Sequence, residues 1–214
     1  MILEGIVTTL NADGSLNIAP QGPIIAPDWS QLTFRPFPAS QTFANLSRDR
    51  CGVFHVVDDV LLLAQTALDL HHAEPPTLPA PHIPGHILAD CCRWYEFRIH
   101  SIDLTGERPL FEAVPVHGES VRDHFGFNRA KHAVIEATIA ATRLHLLDHA
   151  AVLEELARLR VPIIKTGGPR ELEAFRLVEA FVQAACQTRG GWSPEPDASP
   201  GGGETRAELA DLQE

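Results

Sequence analysis

The chain has 214 residues, of which 44% are apolar and 21% charged, enough for one large domain around a sizeable core. Its formal net charge of -11 argues against general nucleic-acid binding and against an anionic membrane surface. An anionic ligand must therefore be held by local basic groups and not by the global field.

The N-terminus, Met1-Ile2-Leu3-Glu4-Gly5, lacks a basic region and a signal-peptide core, and no apolar run is long enough to span a bilayer. The reading is a cytoplasmic protein. Cys51, Cys91, Cys92 and Cys186 show no CxxC spacing, which predicts buried, reduced thiols.

Ile2 to Leu10 is β-branched and apolar. Asn11-Ala12-Asp13-Gly14 is a tight-turn signal, and Ser15 to Pro20 resumes as a strand, so the chain opens with a hairpin. Asn17 to Pro23 is expected to turn irregular at its Pro-x-Gly-Pro pattern and to bring main chain close to a ligand. Gln31 to Phe34 is a short strand ending in Arg35. Pro36 and Pro38 prevent any element from running through them, and Ser40 or Thr42 caps a short helix carrying Phe43 and Leu46. A strand-end arginine, two hydroxyls and a helix N-terminus make an anion pocket suited to a phosphate. A solvated arginine beside an ordinary serine cap is the alternative.

Cys51 to Val57 reads as a buried strand, Asp58-Asp59 as a turn and Val60 to Ala64 as a return strand. Gln65 to His72 suggests a helical turn, and the five prolines between His71 and His86 predict a long extended loop. His71, His72, His82 and His86, with Asp69 and Asp90 nearby, have metal-ligating chemistry without rigid helical spacing. They are read as a solvated loop, with no metal. Cys91 to Leu104 and Leu110 to His117 form a second long hairpin, with Phe111 and Ala113 on one face and Glu112 and Val114 on the other.

From Phe127 the apolar period becomes helical. Asn128 caps a helix from Arg129 to Leu147. Asp148 caps a second to about Arg160, ended by Val161-Pro162, and a third runs from Arg170 to about Gln187. Arg129 and Lys131 at a helix start oppose the dipole, which an anion bound there would compensate. From Gly190 the composition predicts disorder. The expected fold class is α+β. An antiparallel barrel spans 1–126, a helical appendage 127–187 and an acidic tail 188–214. No nucleotide-binding glycine motif, nucleophile elbow or zinc-protease motif is present, so no catalytic residue is assigned.

Three stretches of this sequence resemble a known family. They are Ile2 to Thr9, Asn17 to Pro23, and Arg35-Pro36-Phe37 followed by Ser40, Thr42 and Asn45-Leu46. Asn128-Arg129-Ala130-Lys131 and the residues to Leu144 extend the likeness. The family is the domain-of-unknown-function family 447, archaeal and bacterial proteins with an FMN-binding split-barrel fold. The chain departs from it at His55 to Asp59, in the His-rich loop and in the tail.

The resemblance implies a split β-barrel of Greek-key type, FMN as cofactor, and a homodimer with flavin at the interface. It implies that Arg35, Ser40 and Thr42 hold the phosphate, that Gln21 and Gly22 line the isoalloxazine edge, and that His55 faces the ring. Asn128 and Lys131 approach from the helices. The implied function is a flavin-dependent oxidoreductase or flavin reductase acting on a small molecule, with NAD(P)H as candidate donor and a tetrahydromethanopterin-type substrate as a conjecture. A non-catalytic flavin carrier is the rival.

Overall fold

The computed structural model describes residues 1–189 except 72 and 107, so the predicted disordered tail lies outside the described residues. β1 (Gly5–Leu10) pairs antiparallel with β2 (Leu16–Gln21) through the predicted turn, where Gly14 sits at φ +84. β3 (Ile24–Ile25), β4 (Leu32–Phe34), β5 (Cys51–Val56), β8 (Arg93–Asp103) and β9 (Leu110–Ser120) complete a seven-stranded antiparallel sheet. Its order is β2-β1-β5-β8-β9-β4-β3.

The sheet curls around Phe34, Phe54, Phe97 and Phe111, each fully buried. The Phe34 ring lies 4.6 Å from Phe97 and 6.2 Å from Phe54, centroid to centroid. β1 is buried on both faces because Val7 enters this interior while Ile6 enters a second cluster on the outer face. That outer cluster is covered by residues Ile83 to Cys91. It holds two buried thiols, Cys51 and Cys91; Cys92 is buried beside Arg122, and Cys186 is half-buried.

Several elements differ from the sequence expectation. β2 continues regularly to Gln21, with Pro20 opposite Ile6. It is an edge strand, where a proline's missing N–H costs no ladder bond on the open side. The predicted strand Val60 to Ala64 is instead helix α2 (Val60–Ala67), after α1 (Gln41–Asp49). Asp59 is its N-cap, its Oδ1 accepting from the Leu61 and Leu62 amides.

The Pro-rich loop contains a short hairpin of its own, β6 (Thr77–Pro79) with β7 (His86–Leu88). α3 (Arg129–Thr142) stops earlier than expected. α4 (His149–Thr166) runs through Pro162. The proline removes one bond to the carbonyl of Arg158, which lies on an exposed face, and Ile163 beyond it is fully buried. α5 spans Pro169–Arg189. α2, α3, α4 and α5 share one apolar core, so the helical layer includes a piece of the N-terminal half. No helix among the described residues is long and apolar enough to cross a membrane.

Candidate functional site

The predicted phosphate segment follows β4. Arg35 is exposed and makes no hydrogen bond or ion pair among the described residues. Ser40 is the N-cap of α1: its Oγ accepts from Phe43 N at 3.1 Å and donates to Phe37 O at 2.7 Å. Thr42 is one position inside the helix and buried. Its Oγ1 accepts from Asn17 Nδ2 at 3.1 Å, which ties the start of α1 to the start of β2. Arg35, Ser40 and Thr42 line none of the best-formed cavities.

Gln21 stands at the other end of β2, opposite Gly5. Gly22 follows it, and a Cβ there would lie 2.9 Å from Ile2 Cγ2 and 3.0 Å from Glu4 Oε1. Burial, with the Glu136 carboxylate nearby, raises the Glu4 carboxyl above its ordinary value.

Glu4 lines a cavity of about 250 Å³ whose walls are mostly apolar, among them Val56, Val57, Leu63, Phe127 and Ile135. Lys131 and His132 supply polar groups from the start of α3. Asn128 caps that helix. Its Oδ1 accepts from the Ala130 and Lys131 amides at 2.8 and 3.1 Å, and its Nδ2 donates to Thr166 O at 3.0 Å. Lys131 Nζ donates to the Asp58 carbonyl, pairs with Glu171 Oε1 at 2.9 Å and sits 5.3 Å from the Phe125 ring centre. Burial works to raise the Glu171 carboxyl, but the Lys131 and Gly168 donors outweigh it and leave it below its ordinary value.

His55 is elsewhere. Its ring is fully buried, with Nδ1 3.1 Å from Ile6 O and Nε2 accepting from Leu88 N at 3.0 Å. Those partners fix the neutral tautomer with the proton on Nδ1. Desolvation pushes its pKa down to about 4. Both ring nitrogens are committed to the core, so no part of the ring is presented to the cavity. The sequence reading of His55 as a ring-facing group is corrected here to a core hydrogen-bonding role. Among the described residues no His, Cys, Asp and Glu group is arranged to hold a metal ion.

Sequence reasoning missed Asp58, the hub beside the cavity. Its carboxylate accepts two bonds from Arg122, at 2.8 and 3.0 Å, and one from Phe125 N at 2.8 Å. Arg122 Nε also reaches Asp90 Oδ1 at 2.8 Å. These bonds hold Asp58 well below the usual carboxylate range. Asp58→Ala is expected to cost about 2–4 kcal/mol, because it leaves the Phe125 amide and part of Arg122 without an acceptor. Urea denaturation at neutral pH measures it, and a loss within error of zero would remove Asp58 as the anchor of the cavity wall.

The fold is an antiparallel split barrel with a layer of helices beside it. Residues 3–122 match the N-terminal domain, and residues 128–180 the C-terminal domain, of the family described as protein of unknown function (DUF447). The chain belongs to this family. An FMN-bound member from Methanosarcina mazei is similar in structure, with 25% identity and a TM-score of 0.72, over 84% of this chain and 94% of that one. The styrene monooxygenase flavin reductase of Pseudomonas putida S12 has 10% identity and a TM-score of 0.47, over 57% of this chain and 82% of that one. An FMN-binding protein from Thermus thermophilus has 15% identity and a TM-score of 0.46, over 55% and 70%. No curated protein matches the chain.

Proposed function

We propose that this chain binds FMN and serves as a flavin-dependent oxidoreductase or flavin reductase on a small molecule. The observation that carries the reading is the alignment of two sites along β2. Thr42 is tied to Asn17 at one end of the strand, and Gln21 and Gly22 stand at the other, where Gly22 faces Glu4 of the apolar cavity's wall. Four residue steps at β spacing separate Asn17 from Gln21, about 13 Å. That span suits a ribityl phosphate carrying a flat three-ring head. The likeness to the FMN-bound family member from Methanosarcina mazei supports the same ligand.

The residues fit the group. Arg35 has no protein partner among the described residues, Ser40 opens a helix N-terminus, and Thr42 has a hydroxyl proton left after accepting from Asn17. At the ring end Gly22 admits no side chain, and β2 offers backbone groups on its open edge. The slot walls are mostly apolar, and Lys131, itself paired with Glu171, stands at the rim from the start of α3. When bound, FMN supplies hydride and single-electron transfer. The chain's share is to hold the phosphate, orient the ring and set its potential through Lys131.

A second copy completes this picture. Phe125 is 74% exposed and Phe127 is 99% exposed, and both stand beside the cavity. Covering them is a reason to form the homodimer that the family resemblance implies. Sedimentation of the purified chain checks it: a monomer at micromolar concentration would overturn the dimer.

The direct test is the visible spectrum after FMN addition and desalting. Retained flavin near one equivalent supports the site, and turnover with NAD(P)H separates a catalyst from a carrier. A tetrahydromethanopterin-type pterin and free FMN are the first acceptors to offer. Arg35→Ala is expected to weaken FMN binding by about 1.5–3 kcal/mol, the worth of a charged hydrogen bond, with no change in fold stability. Unchanged FMN affinity would sink the phosphate role.

A further inference from the structure

The half-barrel has an open mouth at the ends of β5, β8 and β9, where Val56, Arg93 and Ser120 lie in one row. A second cavity of about 170 Å³ opens there. Trp29 forms one wall. It is a non-glycine residue at φ 61, and its indole stacks on Tyr95 at 4.3 Å with 18° between the planes. That backbone region is uncommon for a bulky residue and is tolerated where the surroundings impose it. Here it turns a large flat ring onto the rim of the mouth.

The polar groups around this ring are of complementary kinds. Arg93 touches only the Tyr95 hydroxyl, at 3.2 Å, and has no carboxylate partner among the described residues. The charge of Arg122 is already met by Asp58 and Asp90, so among the described residues Arg93 is the cation of the wall left without a carboxylate. The exposed Asp123 carboxylate accepts no hydrogen bond among the described residues and is available to hydroxyl donors. His124 Nδ1 accepts from Gly126 N at 3.0 Å, which leaves Nε2 as a donor. Val56 and His124 also line the larger apolar cavity, so the two spaces adjoin.

We infer that this mouth is a nucleoside-monophosphate site. The base stacks on Trp29, the ribose hydroxyls donate to Asp123, and the phosphate meets Arg93 and Ser120. The cavity has room for a base-sized ring, with the sugar and phosphate lying over the exposed rim. The same chemistry is found in free AMP and in the adenylate half of a pyridine dinucleotide. The adjoining slot favours the dinucleotide, a point that rests on the flavin reading above.

Equilibrium dialysis of the FMN-loaded full chain against AMP, adenosine and NADH tests this. AMP is expected to bind, and adenosine to bind about tenfold more weakly for want of the phosphate. Arg93→Ala should weaken AMP by about tenfold or more while FMN affinity stays within about twofold. Trp29→Leu should weaken AMP and adenosine alike. NADH displacing AMP with higher affinity identifies the dinucleotide as source, and NADH no tighter than AMP identifies the mononucleotide. AMP binding unaltered in Arg93→Ala overturns the site, since that exposed side chain is not needed for folding. No AMP binding at about 1 mM by a chain that retains FMN overturns it too. If the chain retains no FMN, the same titration on the protein as purified still decides the mouth: AMP bound there supports this site and leaves the flavin reading as the one that failed.

Discussion

His55→Ala is expected to destabilise the fold by about 3–5 kcal/mol. Two buried hydrogen bonds lose their partner, leaving the Leu88 amide and one acceptor position of Ile6 O unmet, and a ring-sized void remains. The parent should also show an acid limb. The ring is neutral in the fold with a pKa of about 4, against an ordinary value of about 6.5. The unfolded chain therefore binds the extra proton first. Stability from this group is full above about pH 6.5, falls as pH drops towards 4, and changes no further below that. The total is about 3 kcal/mol. His55→Gln keeps a polar side chain but cannot titrate, so its urea midpoint should be flatter between pH 7 and pH 4. An equal slope in parent and variant would show that His55 is not the titrating group.

Gly5→Ala is expected to cost about 2–4 kcal/mol. The added Cβ would stand 2.5 Å from His55 O and 2.7 Å from the Phe54 ring. Neither neighbour can yield: the carbonyl belongs to the strand paired with β1, and Phe54 is fully buried in the half-barrel. Gly14→Ala is the contrast. Nothing lies within 4 Å of its added Cβ, and only the φ of +84 opposes it, so about 1 kcal/mol is expected. Thermal melts of the two variants give the comparison. Equal shifts would mean that close packing at Gly5 is relieved by strand movement.

Much of the sheet was legible from local chemistry. The Asn11 to Gly14 turn, the Ser40 cap and the alternation Phe111, Glu112, Ala113, Val114 each state their structure within a few residues. Val60 to Ala64 was not legible. An apolar run buried between sheet and helices lacks a period, and Asp59 serves a turn or a cap equally well. Pro162 misled for a similar reason: one lost bond on an exposed face is outweighed by burial of Ile163 beyond it.

At the site, the strand-end arginine and the Asn128 cap could be read directly. The cavity could not, because Glu4, Val57 and Lys131 come from three distant parts of the chain and share a wall only once it is folded. His55 was misplaced because the sequence shows a histidine on a strand but not which face of the sheet is covered. Trp29 and Arg93 carry no local pattern at all, since their meeting depends on Tyr95 being shared.

The four thiols give this molecule a built-in chemical clock. Burial raises Cys51 and Cys92 and pushes Cys91 up to about 12, whereas Cys186 on α5 is half-buried and lies away from them. An alkylating reagent at neutral pH should therefore modify Cys186 first. Cys51 and Cys91, in the outer cluster, should follow only when the covering segment Ile83 to Cys91 lifts, because a thiolate must form before it can attack, while Cys92 lines the mouth beside Arg122. Time-resolved mass spectrometry of the labelled chain then reads the opening of that cover separately from events in the helical layer. The same modification at Cys186 offers a place for a fluorophore that leaves the sheet and both cavities untouched.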